Sequence, residues 1–353
     1  MHFPGVDGWE GVPKRFDCQR VPGLRLSGKA YAYLKIAEGC AHRCSYCAIP
    51  AIRGSYRSRP LRAILKEARD FVRTGVKELN LIAQDPMLYG VDLRHSTSTP
   101  KRETGNSKLQ TPNSKLETLN SKLETPNLVT LLKALDRMRG DFRVRVLYSY
   151  PSEITDEFLD WMRTSPRAVK YVDVPLQHTD PVILKVMARG TAVKATQTAA
   201  ARIRAAVPGV TLRTTVMTGF PGETASAFAR LLADVMRMQF DHLGVFAYSP
   251  EEGTAAAKLE GRPPAKVAER RALKVMAVQK KIWAKKAKAM LGKEFPALVV
   301  APGTARLESQ APDVDGVVRL ARNGTQASVG AFVTVRLTAV RGYDFIGEPR
   351  IES

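Results

Sequence analysis

The sequence of 353 residues contains only four cysteines and 34 acidic residues, and it lacks a run of eighteen apolar residues. Because three of the four cysteines lie within one short stretch, a disulfide framework is excluded and a reducing compartment is indicated. The N-terminus also lacks the basic and apolar pattern of a secretory signal. We therefore expect a cytoplasmic protein with no membrane partner.

The shortage of acids leaves a strong positive charge. Lys and Arg number 55, which gives a formal net charge of +21 and a pI near 10.0. Such an excess attracts polyanions. It is greatest in a helical stretch at 262–293, which predicts either an RNA contact or only a solvated helix face.

A Cys-x3-Cys-x2-Cys loop follows the strand-like run 30–36 and contains Cys40, Cys44 and Cys47. Soft sulfur ligands select zinc or iron–sulfur clusters. A structural zinc ion normally takes four protein ligands, and no Cys-x2-Cys partner lies nearby. The spacing favours an iron–sulfur cluster held by three cysteines with one open iron, and the alternative is three cysteines without a metal.

From residue 30 onward, short apolar runs alternate with helical patterns, which predicts parallel βα units. The predicted strands are 30–36, 78–83, 143–148, 171–176, 211–218 and 242–248. The predicted helices are 61–74, 128–139, 155–163, 181–188, 194–207 and 225–238. Six such units indicate an α/β fold, a partial (β/α)6 barrel, whose ligand site lies at the carboxyl ends of the strands. Polar groups follow the strands there, among them Gln84 and Tyr248.

Two segments do not fit the βα pattern. Residues 1–29 are rich in Gly and Pro and contain the isolated Cys18, so we expect a linker. The stretch of about 94–127 contains a tandem seven-residue repeat with one Leu per copy, too few apolar groups for a coiled coil. We expect it to be a disordered surface insertion within a core domain at 30–290.

The C-terminal part, 291–353, consists of short β runs separated by Gly, Pro and Asn. The runs are predicted at 296–300, 316–320, 332–338 and 343–347. This pattern predicts a small antiparallel β-barrel, which would bind a partner or only cap the core.

The cysteine loop carries a resemblance. Residues 38–47, followed by Arg53-Gly54 and Ser58-Arg59-Pro60, resemble the cluster loop of the radical S-adenosylmethionine (SAM) methylthiotransferases, in particular the RimO-type branch. Residues 311–316 and 342–347 resemble the TRAM domain of those enzymes. The resemblance implies a 4Fe-4S cluster that receives an electron from an external donor and cleaves SAM. It further implies methylthio transfer to an aspartate of a small-subunit ribosomal protein, with tRNA adenosine as the alternative substrate.

The resemblance, together with the polar groups at the strand ends, gives a set of predicted SAM contacts. They are Tyr46, Gln84, Gln177, His178, Arg213, Gly219, Pro221, Gly222, Glu223 and Tyr248. Gly219 and Gly222 flank Pro221 and would let the backbone approach SAM closely. Arg213 would pair with the SAM carboxylate. As alternatives, Tyr46 is a core residue, His178 a structural group and Arg213 an ordinary strand arginine.

One departure bears on activity. In the resembled family, an N-terminal domain with three further cysteines for an auxiliary cluster precedes the core, and residues 1–29 do not contain it. The resemblance implies that the auxiliary cluster takes part in supplying the sulfur. A trimmed chain, a separate partner and a degenerate, non-transferring RNA- or ribosome-binding module are three open explanations.

Overall fold

The computed structural model describes residues 30–93, 126–321 and 327–350. The linker at 1–29, with Cys18, and most of the predicted insertion lie outside the described residues. The helices of the described chain are α1 (Ile49–Arg53), α2 (Leu61–Arg73), α3 (Leu128–Asp136), α4 (Asp156–Thr164), α5 (Pro181–Val186), α6 (Val193–Ala206), α7 (Ala225–Met238) and α8 (Ala265–Met290). The strands are β1 (Tyr31–Lys35), β2 (Ala37–Glu38), β3 (Arg57–Ser58), β4 (Glu78–Ile82), β5 (Arg143–Val146), β6 (Tyr171–Asp173), β7 (Thr211–Thr218), β8 (His242–Ala247), β9 (Glu294–Ala301), β10 (Thr304–Leu307), β11 (Val318–Leu320), β12 (Phe332–Arg341) and β13 (Asp344–Pro349).

Six parallel strands form the core, in two three-stranded sheets ordered β1-β4-β5 and β6-β7-β8. On β4, Leu79 lies opposite Ala32 of β1 and Val144 of β5. A hydrogen bond of 2.7 Å from the Ser149 amide to the Asp173 carbonyl connects the two sheets. The alternation of strands and helices confirms the predicted α/β partial barrel.

Strand β6 is shorter than predicted, because it ends at Asp173 rather than at residue 176. Val174 still donates to the Arg213 carbonyl (2.9 Å). The next residue, Pro175, has no amide hydrogen, and Gln177 has a φ of 67°, which is not a strand conformation. The regular ladder is therefore interrupted after Val174, and pairing with β7 resumes at Gln177 as an isolated bridge.

At the N-termini of four helices, the side chain of the N-cap residue accepts a hydrogen bond from a backbone N–H of the first turn. Asn, Asp and Thr are among the residues favoured at this position. Asn127 accepts from Thr130 (2.8 Å) at α3, so the last residue of the expected insertion belongs to a helix cap. Thr155, Asp180 and Thr224 cap α4, α5 and α7 in the same way. Each such cap contributes about 1 kcal/mol to stability.

Helix α3 illustrates how the helices cover the sheet. Leu128, Leu131, Leu132 and Leu135 recur at spacings of three and four residues, so they share one helix face. All four are buried in the same apolar cluster as Val144 of β5. This burial, rather than intrinsic helix propensity, stabilises a nine-residue helix.

The C-terminal strands form a closed five-strand barrel ordered β10-β11-β13-β12-β9. The prediction of a small barrel is confirmed, but the expectation of a purely antiparallel one is wrong because β11 and β13 pair in parallel. Strand β12 lies between them in the sequence, which lets both run in the same direction. Strand β10 was not predicted, since Thr304–Leu307 lacks a run of β-branched residues.

The small barrel closes the amino end of the parallel strands through buried ion pairs. Glu78, the first residue of β4, lies 3.1 Å from Arg145 Nε and 2.8 Å from Arg306 Nη2 of β10. Tyr171, the first residue of β6, donates to Asp315 (2.7 Å). One end of the core is thus sealed, and the carboxyl end remains for a ligand.

None of the helices in the described ranges is both long and apolar enough to span a bilayer.

The Glu78 ion pairs generate a pH prediction. Although burial alone would raise the pKa of Glu78, Arg145 and Arg306 lower it from 4.5 to about 2. Because the folded-state pKa is depressed, the stabilisation is complete above pH 4.5 and is lost as the pH falls toward about 2. Glu78→Gln leaves two buried guanidinium groups unpaired, and we expect it to cost about 3–5 kcal/mol near neutral pH.

Urea unfolding followed by circular dichroism over this pH range measures both effects. Glu294→Gln is the matched control, because its ion pair with Arg350 (2.8 Å) is largely exposed and should contribute about 1 kcal/mol or less. Equal losses in the two variants would contradict the prediction.

Candidate functional site

The cysteine loop begins with a close backbone contact. Gly39 has a φ of 76°, and a Cβ at this position would lie 2.2 Å from the Ser55 carbonyl oxygen. Only glycine fits this turn. The Cys40 amide then donates to the Gly54 carbonyl at 3.3 Å, so both ends of the loop are held together.

The centre of the loop is attached to the second half of the barrel through Ser45. Its amide donates to the Met187 carbonyl (3.1 Å), and its hydroxyl donates to the Val186 carbonyl (2.8 Å). Its carbonyl accepts from the Ala256 amide (2.8 Å). These bonds place the loop across the carboxyl ends of the strands.

Cys40, Cys44 and Cys47 are free thiols of intermediate exposure, and all three line one cavity of about 450 Å³. Burial raises the pKa of Cys40 and Cys47, and the charge of the Cys44 thiolate raises both further. Within the described ranges, no three Cys, His, Asp or Glu side chains converge closely enough to hold a single metal ion. The three sulfurs thus share a cavity without forming a compact one-ion site.

Three of the predicted SAM contacts line the same cavity, namely Tyr46, Gln84 and Gln177. Gln177 and Tyr148, which follows β5, both have left-handed backbones, with φ of 67° and 70°. A side chain in this conformation costs about 1–2 kcal/mol, and such strain is commonly found at functional sites. Here the strain places an amide and a half-exposed aromatic ring in the cavity wall.

Sequence reasoning missed several residues of the cavity wall as site residues: His42, Tyr148, Ser149, Tyr150 and Arg189. His42 Nε2 lies 2.6 Å from Oδ2 of the buried Asp85, and its ring stacks on Tyr150 with centroids 3.8 Å apart. The Ser149 hydroxyl is buried without a hydrogen-bond partner in the described chain. Ser149 and Tyr150 are among the polar groups that follow predicted strands, although they were not predicted as SAM contacts, whereas no sequence pattern distinguishes Arg189.

The Gly-Phe-Pro-Gly-Glu segment, residues 219–223, does not line the thiol cavity. Gly219 has a φ of 74°, and a Cβ there would lie 2.1 Å from the Cβ of Ala268 on α8. Gly219 therefore lies close to a helix, and its predicted contact with SAM stays a prediction. Pro221 and Gly222 continue this turn, and the Gly222 amide donates to the Gly261 carbonyl (3.0 Å).

Glu223 and His178 form a buried pair behind the cavity. The Asp180 amide donates to His178 Nδ1 (2.9 Å), so Nε2 carries the proton and faces Glu223 at 3.4 Å. Arg271 also donates to Glu223 (2.7 Å). Burial alone would raise the pKa of Glu223, but the hydrogen bonds from His178, the Gly219 amide and Arg271 lower it. Both residues have partners within the chain, and their predicted contact with SAM stays a prediction.

Arg213 and Tyr248 also lie away from the thiols. Arg213 is paired with Asp173 (3.3 Å) and Asp315 (3.7 Å) beside the small barrel, where it lines a separate cavity of about 330 Å³. Tyr248 lines another cavity, of about 530 Å³, and packs edge-on against Phe220 with ring centroids 5.0 Å apart.

This architecture, a partial parallel barrel with three thiols at its open end and a small β-barrel at the other, agrees with the family comparisons. The model of the radical SAM superfamily matches residues 34–235, more than half of the chain. The model of the TRAM domain matches residues 292–349.

Curated relatives match more than nine tenths of the chain. The ribosomal protein uS12 methylthiotransferase RimO of Opitutus terrae is 39% identical over 93% of this chain and 66% of its own length. The RimO of Carboxydothermus hydrogenoformans is 39% identical over 91% of this chain and 68% of its own. The chain therefore belongs to the radical SAM superfamily and, within it, to the family of these RimO relatives. It spans about two thirds of their length.

Among solved structures, the radical SAM methyltransferase TsrM of Kitasatospora setae aligns with a TM-score of 0.47 and 18% identity, over 64% of this chain and 38% of its own. This likeness is too low to support an argument about the site.

The contact of Gly219 with α8 generates a stability prediction. Gly219→Ala should lower the melting temperature strongly, because α8 must move to admit the new methyl group. Gly209→Ala is the matched control, since Gly209 has a φ of 78° with no atom within 4 Å of the added Cβ, so only backbone strain of about 1 kcal/mol is expected. Similar melting temperatures for the two variants would show that the close approach is not rigid.

Proposed function

We propose that this chain is a radical SAM methylthiotransferase that modifies an aspartate of ribosomal protein uS12. The observation that carries the proposal is the single cavity shared by three free thiols at the carboxyl end of a parallel barrel. The substrate follows from the relatives, whose names specify uS12. We further propose the division into a core at 30–290 and a TRAM-like domain at 291–353, and a cytoplasmic location beside the ribosome.

The donor set fits a 4Fe-4S cluster ligated by Cys40, Cys44 and Cys47. A single ion requires closely converging ligands, whereas a cluster of several irons and sulfides fills more space between its thiolates, which suits sulfurs spread around one cavity. The raised pKa values of Cys40 and Cys47 mean that cluster binding must release protons. When bound, the cluster would pass an electron from an external donor to SAM.

The other cavity residues then bind and orient SAM. Tyr46 offers an aromatic surface for the adenine. Gln84 and Gln177 offer amide groups for polar parts of SAM, and Gln177 is held in position by bonds to Thr215 and Met217 on β7. The sealed amino end of the barrel limits access of the substrate to the carboxyl end, where the cavity opens.

Replacing Cys44 by Ala should abolish SAM cleavage, because the cluster loses one of three protein ligands. The measurement is iron content and dithionite-dependent formation of 5′-deoxyadenosine after anaerobic reconstitution. Cys18→Ala is the matched control and should behave as the wild type. Persistent cleavage by the Cys44 variant would reject the ligand assignment.

Two further outcomes test the whole proposal. If the wild type binds iron and yields no 5′-deoxyadenosine, it is not a radical SAM enzyme. Transfer is tested by adding SAM, sulfide and recombinant uS12 and measuring by mass spectrometry whether an aspartate gains a methylthio group. If SAM is cleaved but the aspartate stays unmodified, the chain is a radical SAM enzyme but not a uS12 methylthiotransferase.

An RNA contact through helix α8 and the TRAM domain is proposed as the second partner interaction. Basic side chains recur along α8 at spacings of three, four and seven residues, so they lie along one side of the helix. They are exposed in the structure: Lys266, Arg270, Lys274, Lys281, Lys285 and Lys288. Ion pairs within the described chain involve none of the six, which leaves their charge available for phosphates. Burial of other positions, such as Trp283, keeps this side turned to solvent.

The basic side of α8 leads to a prediction about how RNA binding depends on salt concentration. Changing Lys274, Lys281 and Lys285 together to Gln should weaken binding to a single-stranded oligoribonucleotide and lower the slope of log K against log salt by about 2, at roughly 0.7 per phosphate contact. Fluorescence anisotropy over a salt series measures this slope.

The control carries the same change in net charge elsewhere, at Lys133, Lys185 and Lys194, which are exposed on α3, α5 and α6. It should leave the slope near the wild-type value. An equal reduction in both triple variants would mean that only the overall charge matters and that α8 is merely a solvated helix.

A further inference from the structure

Arg189 is a charged side chain that the fold buries almost completely, with 3% of its surface exposed. It follows α5 and forms part of the wall of the thiol cavity. Burying a guanidinium costs free energy unless an anion and hydrogen-bond acceptors replace water. Its position therefore requires a compensating group.

The end of α5 directs Arg189 into the cavity wall. The Arg189 amide donates to the Leu184 carbonyl (2.7 Å), and the Ala188 amide donates to that of Lys185 (3.0 Å), which is the Schellman pattern of a helix end. Ala188 makes the turn with a φ of 57°, a conformation that glycine adopts at lower cost. The backbone thus positions Arg189 although the turn residue is strained.

The guanidinium joins the cysteine loop to the end of the β6 segment. Nη1 lies 3.8 Å from Cys44 Sγ and 3.5 Å from the hydroxyl oxygen of Tyr46. Nη2 donates to the Pro175 carbonyl at 3.0 Å. Cys44 is therefore the thiol that receives an N–H from a permanently charged group.

A stack of side chains holds the plane of the guanidinium. Its central carbon lies 4.0 Å from the ring centroid of Tyr150, and the His42 ring lies 3.8 Å from the same centroid. Two groups this close to one ring occupy opposite faces. Because His42 is in turn bonded to the buried Asp85 (2.6 Å), the guanidinium cannot turn away without disturbing the whole stack.

Among the groups near Arg189 in the described chain, only one can provide a negative charge that balances the guanidinium. In the described parts of the chain, no carboxylate lies within ion-pair distance of it, and its Nε has no hydrogen-bond partner. The ionisable groups that act on it are Cys44, Tyr46 and Tyr150. Since tyrosine hydroxyls are neutral at ordinary pH and cysteine ligates metals as a thiolate, Cys44 would supply the counter-charge once it holds a cluster.

We propose that Arg189 is a positioning residue that raises the reduction potential of the cluster bound by the three cysteines, through its N–H contact with Cys44 and its unpaired charge. The proposal rests on the cluster of the proposed function, and it does not depend on methylthio transfer. Reduction adds one negative charge to the cluster. A fixed cation and a hydrogen bond to a ligand sulfur stabilise the reduced state more than the oxidised state.

The test is an EPR-monitored redox titration of the anaerobically reconstituted full chain. Arg189→Gln removes the charge, and we expect the equilibrium constant for reduction to fall at least tenfold, which corresponds to a midpoint about 59 mV lower. Arg189→Lys keeps a charge but loses the planar donor group, so a fall of at least threefold, about 28 mV, is expected.

Ala188→Gly is the matched control. It relaxes the strained turn without changing any charge, and its midpoint should equal that of the wild type. A midpoint in Arg189→Gln within 10 mV of wild type at equal iron content would overturn the proposal, where 10 mV corresponds to a change of about 1.5-fold. If Arg189→Gln does not retain iron, the midpoint of Arg189→Lys is used instead. A midpoint at least 28 mV below that of the wild type supports the proposal, and a smaller fall overturns it.

The two proposals fail in different ways. A wild-type chain that binds no iron overturns both. A chain that shows the potential shift but leaves uS12 unmodified overturns the transferase proposal alone, because the midpoint is measured without substrate.

Discussion

Parallel hydrogen bonding among the six core strands is the constraint on which the rest of the structure depends. Strands that run in one direction bring all their carboxyl ends to one edge, so residues far apart in sequence meet there. The cysteine loop beyond β1, the Ser149 region after β5 and Gln177 after β6 become neighbours for this reason. Ser45 then ties the loop across to α5, which stabilises the loop against the far half of the barrel.

The amino end of the barrel, in contrast, is closed by buried ion pairs. Glu78, Arg145 and Arg306 exclude water there and join the two domains by buried charge. Such pairs contribute little to stability over an apolar core, but they are costly to break from one side. They therefore hold the small barrel in one position relative to the core.

Local patterns predicted much of the fold. Apolar spacing located all six core strands and the helices between them, since each must bury one face. The same patterns missed β10 and the parallel pairing of β11 with β13, because pairing partners are set by closure of the barrel rather than by propensity. The Gly219–Glu223 segment shows the limit for function. Its glycines predicted a close approach of the backbone to SAM, which stays a prediction, while the contact of Gly219 with Ala268 of α8 left no local signal in the sequence.

The sequence by itself determined that three thiols lie in one short loop, because residues 40–47 are contiguous in the chain. It also determined the net charge and the alternation of elements. Only the tertiary structure decided which other groups surround the thiols. Arg189 lies 145 residues from Cys44 in the chain, and its burial beside that sulfur depends on a helix end, an aromatic stack and the closure of the barrel. A long-range contact of this kind leaves no periodic pattern in the sequence. It involves a single side chain, and the residues next to it in the chain do not take part in it.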